Sequence, residues 1–566
     1  MKILDLRSMP AGTTLKADLA IVGAGPAGLT IARELAATKI RVLVLESGGL
    51  DFDAEPQKLN EVENIGEPAD RGVGKPGRGY SDDLSWLNEV PAFELRNRAV
   101  GGSTHTWVGK CAAFDEIDFA RRAWLPGSGW PFDRRSLADA LDRAAALLNL
   151  GPNIYDERLD GLLRSPPEKL GMDRGLLQPF FWQFSHSRER PGEPLRFRDE
   201  FAKTDAGNVE TVINATVTRI NAEKGGHGPI LLQLRKLQGG HAIVEARAVA
   251  LCAGGIENAR LLLASGIGNQ HDVVGRYLAD HPRAVIARFG STDASRVARH
   301  FSFFGLAEGQ PTRFYLRGLA LSPQLQEREA LLNCAAYPVQ ELAEDDPWIA
   351  IKRFRRHGGL RHAVGALSSP GIITTGLYRR LVQKRGLPRK LTGLRFDSMV
   401  EQLPNPESRV TLSTRLDPLG VPLARVDWKI SLQETKSIAR LGEVIADEFR
   451  RLGLPQPRLA DWIANDEPTA ASFADMAHPA GTTRMGLDPA TSVVDEDARV
   501  HGMEGLYVAG SSIFPTPGHA NPTLMIVALS IRLADHLKDR LTGPSSLRFA
   551  VPETGRTIRN PFPAGS

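Results

Sequence analysis

The chain has 566 residues, 42% of them hydrophobic and 24% charged, with a net charge of +4. These values suit a folded protein of two large domains, or one large domain with insertions, and set aside disordered and fibrous classes. The weak positive charge argues against a nucleic-acid partner, and the three cysteines, Cys111, Cys252 and Cys334, are too few for a disulfide framework or an iron–sulfur or other metal ligand set.

The N-terminus carries no charged start, apolar core and small-residue cleavage site, and no window reaches the roughly 18 apolar residues that crossing a bilayer needs. A cytoplasmic protein without a transmembrane segment is therefore expected. The first predicted elements lie in ADLAIVGAGPAGLTIARELAATKIRVLVLE, which ends at Glu46: an apolar strand, a glycine turn, a helix and a second apolar strand. In the turn, Gly23 permits the bend, Gly25 lets the backbone approach a pyrophosphate, and Gly28 lets helix pack on strand. Pro26 and Ala27 open the helix, whose free N–H groups face the phosphates, and Glu46 stands about 20 residues on, where a carboxylate can accept from a ribose. The unit is a dinucleotide site and leaves FAD and NAD open.

Next comes RNRAVGGSTHTWVGKCAAFD, whose diglycine Gly101-Gly102 and small hydroxyl residues let backbone lie against a planar ring. AVALCAGGIENARLLL, beginning at Ala248, is another apolar strand running into glycines and a helix, which adds a parallel strand to the same sheet. Residues 351–395 hold a dozen Lys and Arg, including Lys352, Arg353, Arg355, Arg356, Arg379, Arg380, Lys384 and Arg385, and no Asp or Glu. That run is either a solvated face or a contact for an anionic surface, such as peripheral membrane headgroups or an acidic partner. FPTPGHANPTLMIVALSIRLADHL, from Phe514, reads as a turn leading into a long apolar helix, and the tail 543–566 is rich in Pro, Gly and Ser and is expected to run along the surface.

Six stretches in order resemble the glucose–methanol–choline (GMC) family of FAD-dependent alcohol oxidoreductases: GAGPAG with Glu46, RAVGGSTHT, ALCAGGIENARLLL, VVGRYLADHP, NPESRVTLS, and HPAGTTRMG followed by GLYVAGSSIFPT. The resemblance implies an α/β fold, α+β overall, in which a Rossmann-like FAD-binding domain (1–120, 205–290 and 475–542) carries an inserted substrate domain of antiparallel sheet and helices (121–204 and 291–474). It places Val217 at the adenine and Gly510 beside the phosphates or ribityl chain. Ser47, Arg98, Ser103, Thr106, Ala253, Gly254, Pro522 and Thr523 complete the expected FAD-contacting set, and no metal is expected.

By the same resemblance His478, in His-x-x-Gly-Thr, is the base, and Asn521, five residues after Thr516, is its partner in a histidine–asparagine subset. Chemically, His has a pKa near the operating range and Asn can donate to a substrate oxygen without competing for its proton. His519 is then a candidate for the substrate pocket, the flavin or the turn itself. Relatives that bond flavin to histidine carry that histidine four residues after the diglycine, where this chain has Thr106 and puts His105 third. Non-covalent FAD is expected. The implied reaction is oxidation of a CH–OH group of a polar substrate, a sugar or glycoside as in bacterial sugar dehydrogenases and pyranose or C-glycoside oxidases, with electrons passing to O₂, a quinone or a soluble carrier. A non-sugar alcohol, such as a natural-product or choline-like one, and a lyase reaction on the same fold are the alternatives.

Overall fold

The computed structural model describes residues 2–66, 90–204, 206–222, 228–308, 313–357 and 369–542. The expected surface tail, 543–566, lies outside them, as do the side chains of Arg355 and Arg356.

Two sheets dominate. In the first, strands Lys2–Asp5, Val209–Ile213, Val42–Leu45, Thr13–Val22 and His241–Leu251 lie side by side and parallel, and Leu506–Val508 joins parallel to His241–Leu251. Antiparallel strands Ile230–Arg235 and Thr216–Asn221 extend it. The parallel strands carry buried apolar runs, Leu19–Val22, Val42–Leu45 and Ala248–Leu251, as a sheet covered on both faces requires. Helix Pro26–Glu34 packs against the C-terminal helix Thr523–Thr542, which also meets helix Ala138–Leu147.

The second sheet is antiparallel, in the order Arg458–Leu459, Arg283–Gly290, Leu391–Val400, Cys334–Leu342, Phe314–Leu321, Leu177–Phe184 and Lys110–Cys111. Helix Leu432–Arg451, capped by a Ser431/Glu434 capping box, lays its apolar face (Ile438, Leu441, Ile445, Phe449) on this sheet. Arg283–Gly290 therefore belongs to the second sheet, although the sequence division put 205–290 with the first, and Lys110–Cys111 crosses over from the N-terminal segment. In a third, small sheet Pro422–Asp427 pairs on one side with Arg409–Leu416 and on the other with Val62–Asn64.

Much of the described part of the basic segment is tied to the protein. Lys384 and Arg385 donate to the carbonyls of Ala307 and Arg299, Arg380 lies over the Phe314 ring, and Arg389 and Lys390 pair with Asp346 and Asp345. Among the described residues, no helix is long and apolar enough to cross a membrane.

Candidate active site

One cavity runs from the glycine turn to the junction of the two large sheets. Gly23 adopts φ +104°, and a Cβ there would stand 2.7 Å from the Cys252 carbonyl oxygen, while a Cβ on Gly28 would collide with the carbonyl of Gly23. A Cβ on Gly25 would meet nothing within 4 Å, since it would enter the cavity. Gly101 N–H donates to Ala24 at 2.8 Å, and Gly102, at φ +53°, comes so close that a Cβ would lie 2.8 Å from Gly25 Cα. The two glycine turns therefore form one backbone cradle.

Glu46 fixes that cradle. Its carboxylate accepts from the N–H groups of Ala24 and Gly48, both at 2.9 Å, and still lines the cavity. Pro26, Ala27, Ser47, Arg98, Gly102, Ser103, Thr106, Val217, Ala253, Gly254, Gly510, Pro522 and Thr523 also line it. Gly28 and Gly101 lie behind the lining, where their contribution is close packing. At the same end Arg98 binds Ser47 and Asn60 and, with Arg96 and Arg260, surrounds Glu257. Burial pushes the Glu257 carboxyl up, but the three guanidiniums outweigh it and hold it well below the usual carboxylate range. A backbone cradle at a helix N-terminus, a carboxylate beside it and an arginine cluster fit a dinucleotide pyrophosphate and its ribose.

His478 and Asn521 line the same cavity. Asn521 is 6% exposed, and its Oδ1 has no hydrogen-bond partner among the described residues, a condition that costs roughly 1–3 kcal/mol unless a ligand meets it. It sits one residue before Pro522, whose carbonyl accepts from Ile526 as the C-terminal helix begins. Proline at this end of a helix sacrifices no ladder bond. His478 N–H donates to Asp280 Oδ2 at 2.9 Å, and Asp280 also accepts from the backbone of Met476 and His281. The Nδ1 atoms of His478 and His281 are 2.9 Å apart. Burial holds His478 well below the ordinary histidine value, with His281 and the Lys110 charge adding to it, so the ring is neutral at physiological pH. Asp280, His281 and His478 bring potential metal-ligand atoms within 4.8 Å of one another, yet the carboxylate is taken by backbone N–H groups and the rings by each other.

His519 does not line the cavity. Gly518, at φ +56°, turns the chain against Asp118, and the His519 ring packs edge-on to Phe180 at 4.6 Å between centroids, fully buried. This corrects its place as a pocket-wall candidate. His105 is also turned away, with Nε2 2.8 Å from the Val100 carbonyl, whereas Thr106 faces the cavity. Sequence reasoning missed His281 and Lys110 as site residues. The available signal for Lys110 was a lone charge in the apolar run WVGKCAAF.

Comparison with known proteins gives a consistent picture. Family models described as GMC oxidoreductase match residues 200–283 and 404–530, and one for an NAD(P)-binding Rossmann-like domain matches 21–49. C-glycoside 3-oxidase of Microbacterium trichothecenolyticum is 26% identical over 93% of this chain and 97% of its own. Paromamine 6'-oxidase of Streptomyces fradiae is 36% identical over 25% of each chain. The structure of a fungal aryl-alcohol oxidase superposes with a TM-score of 0.54 at 17% identity, covering 93% of this chain and 99% of that one, which establishes a shared fold.

Proposed function

Because this chain is a GMC-family, FAD-dependent oxidoreductase acting on alcohol groups, we propose that its substrate is a sugar or glycoside, with His478 as base and Asn521 as the group that orients the reacting oxygen. The observation that carries this reading is that both side chains line one cavity with the glycine cradle. Full-length similarity to a C-glycoside 3-oxidase supports the substrate class.

When bound, FAD accepts a hydride from the alcohol carbon. The protein's part is to hold the hydroxyl between two groups. The Nε2 lone pair of His478 takes the hydroxyl proton as the carbonyl forms, and the Asn521 amide binds the oxygen through the change from alcohol to carbonyl. Apolar side chains on the cavity wall, among them Trp107, Val108 and Met476, limit the water in it.

We assign 1–120, 205–282 and 475–542 to FAD binding, apart from Lys110–Cys111, and 121–204 and 283–474 to the substrate side. FAD is held without a covalent bond, since Thr106 rather than His105 meets the cavity. Acid-precipitated protein should leave its yellow colour in solution. Mixing the holoenzyme anaerobically with a panel of sugars and glycosides should bleach the flavin band, and a parallel run with O₂ and with a quinone identifies the acceptor. A panel that never bleaches, while a non-sugar alcohol does, overturns the substrate class.

A further inference from the structure

Lys110 lines the cavity that holds His478 and Asn521, on the two-residue strand at the edge of the second sheet. Its Nζ lies 3.4 Å from the centroid of the Tyr337 ring, 4.4 Å from that of Trp182, and 3.8 Å from Met399 Sδ. The residue is 9% exposed, and among the described residues no carboxylate comes within ion-pairing distance. Asp397, whose charge reaches it, is held by Arg395 at 2.8 Å and faces Arg283 at 3.7 Å.

The other charges on the cavity wall are committed. Glu46 serves two backbone N–H groups, Glu257 is ringed by three arginines, and Asp417 pairs with Arg260 at 2.6 Å. All three acids belong to the dinucleotide end. At the catalytic end His478 and His281 are held neutral, which leaves one cation with only ring faces and a thioether around it. Ring faces and a sulfur do not replace the hydration of an ammonium, whereas a carboxylate does. A lone point charge, with no guanidinium fork or helix N-terminus beside it, suits a singly charged carboxylate better than a phosphate dianion.

We propose that Lys110 is a specificity-determining residue that receives a carboxylate on the substrate, so that the enzyme selects acidic sugars of the uronic or aldonic class over neutral and amino analogues. This rests on the sugar reading above and sharpens it. Burial lowers the Lys110 ammonium to about 7, with Arg283 adding and Asp397 opposing, and a bound carboxylate pulls it back up. Preference for an acidic sugar is then full below pH ~7 and declines as the pH rises through it.

The test compares methyl glucuronide, methyl glucoside and methyl 6-amino-6-deoxyglucoside on the FAD-loaded enzyme, reading kcat/KM for each and its pH dependence. The glucuronide is expected to be favoured over the glucoside by about tenfold or more at pH ~6, with the amino sugar poorest. Lys110→Met should collapse the glucuronide-to-glucoside ratio and Lys110→Arg should retain it, with flavin content measured in both. A wild-type enzyme that favours the neutral or amino sugar, or a ratio unmoved in Lys110→Met, overturns the proposal. Loss of flavin from Lys110→Met with the ratio unmoved gives the residue to the cofactor instead. If the neutral glucoside bleaches the flavin and the glucuronide shows no advantage, only this inference falls. If neither these three nor the wider sugar panel bleaches it while a non-sugar alcohol does, the sugar reading falls and takes this inference with it.

Discussion

Nδ1 of His281 lies 2.9 Å from Nδ1 of His478, and Nε2 of His281 lies 3.3 Å from the Pro517 carbonyl oxygen. A carbonyl only accepts, so the His281 proton sits on Nε2 and its Nδ1 presents a lone pair. His478 must then carry its proton on Nδ1, which leaves its Nε2 lone pair free for a substrate hydroxyl. His281 is a positioning residue that selects the useful tautomer. His281→Phe should lower kcat/KM by about 10- to 100-fold and retain FAD, the scale on which loss of an orienting partner is usually felt. Rapid-mixing measurement of anaerobic flavin reduction checks this; an unchanged reduction rate refutes the tautomer assignment.

Removing the proposed base should cost more. His478→Ala is expected to slow flavin reduction by about 10²- to 10⁴-fold, and Asn521→Ala to lose roughly 1–3 kcal/mol of transition-state binding, or about 5- to 150-fold in kcat/KM. Both variants should purify with flavin bound, as their absorbance ratio will show.

The acid limb of the pH profile follows from burial. His478 is held well below, and His281 lowered to about 4 from, the ordinary histidine value of 6.5. The active form is the neutral one, so kcat/KM for a neutral sugar should stay level as the pH falls through 6.5 and drop only below it. The same rings lower stability on acidification: the unfolded chain takes up protons below 6.5 that the folded rings refuse until their own lower values. An acid limb centred above 6.5 would refute a neutral, buried base.

The glycine cradle makes a structural prediction that does not involve turnover. In Gly25→Val the new side chain enters the cavity without meeting the protein, so the variant should fold and fail to retain FAD, read from visible absorbance after gel filtration. Gly102→Ala places a methyl 2.8 Å from Gly25 Cα at a positive φ, and should lower both flavin retention and the melting temperature.

Arg122 and Glu401 form a pair buried to 1% and 0% side-chain exposure, and Glu401 also accepts from the Asn333 N–H at 2.6 Å. Breaking a buried pair leaves its partner's charge uncompensated, so Glu401→Ala should destabilise by about 3–5 kcal/mol. The thermal melt of the variant against the parent enzyme reads the loss.

The glycine turn and Glu46 were legible because their geometry is local: each role follows from neighbours within a turn or from the end of the next strand. His478 and Asn521 were reachable only through the motif positions of the family resemblance, since the contacts of His478 are with Asp280 and His281, about 200 residues away. Lys110 was not, because its surroundings come from Tyr337 and Met399, on strands more than two hundred residues away, and only strand pairing brings them over its Nζ. His519 shows the opposite failure. Spacing set it beside Asn521, but the backbone turn at Gly518 decides which way the ring points, and it points to Phe180.

Strand Leu506–Val508 pairs with the very residues of His241–Leu251 that pair on their other side with Thr13–Val22. This has a consequence for biosynthesis. The sheet is not complete until nearly the whole chain has left the ribosome, and contacts of such long sequence separation form slowly. Asn521 lies beyond even that last strand. A nascent chain stopped before it carries the dinucleotide turn and His478 but not Asn521, so the two proposed catalytic side chains come together only late in synthesis.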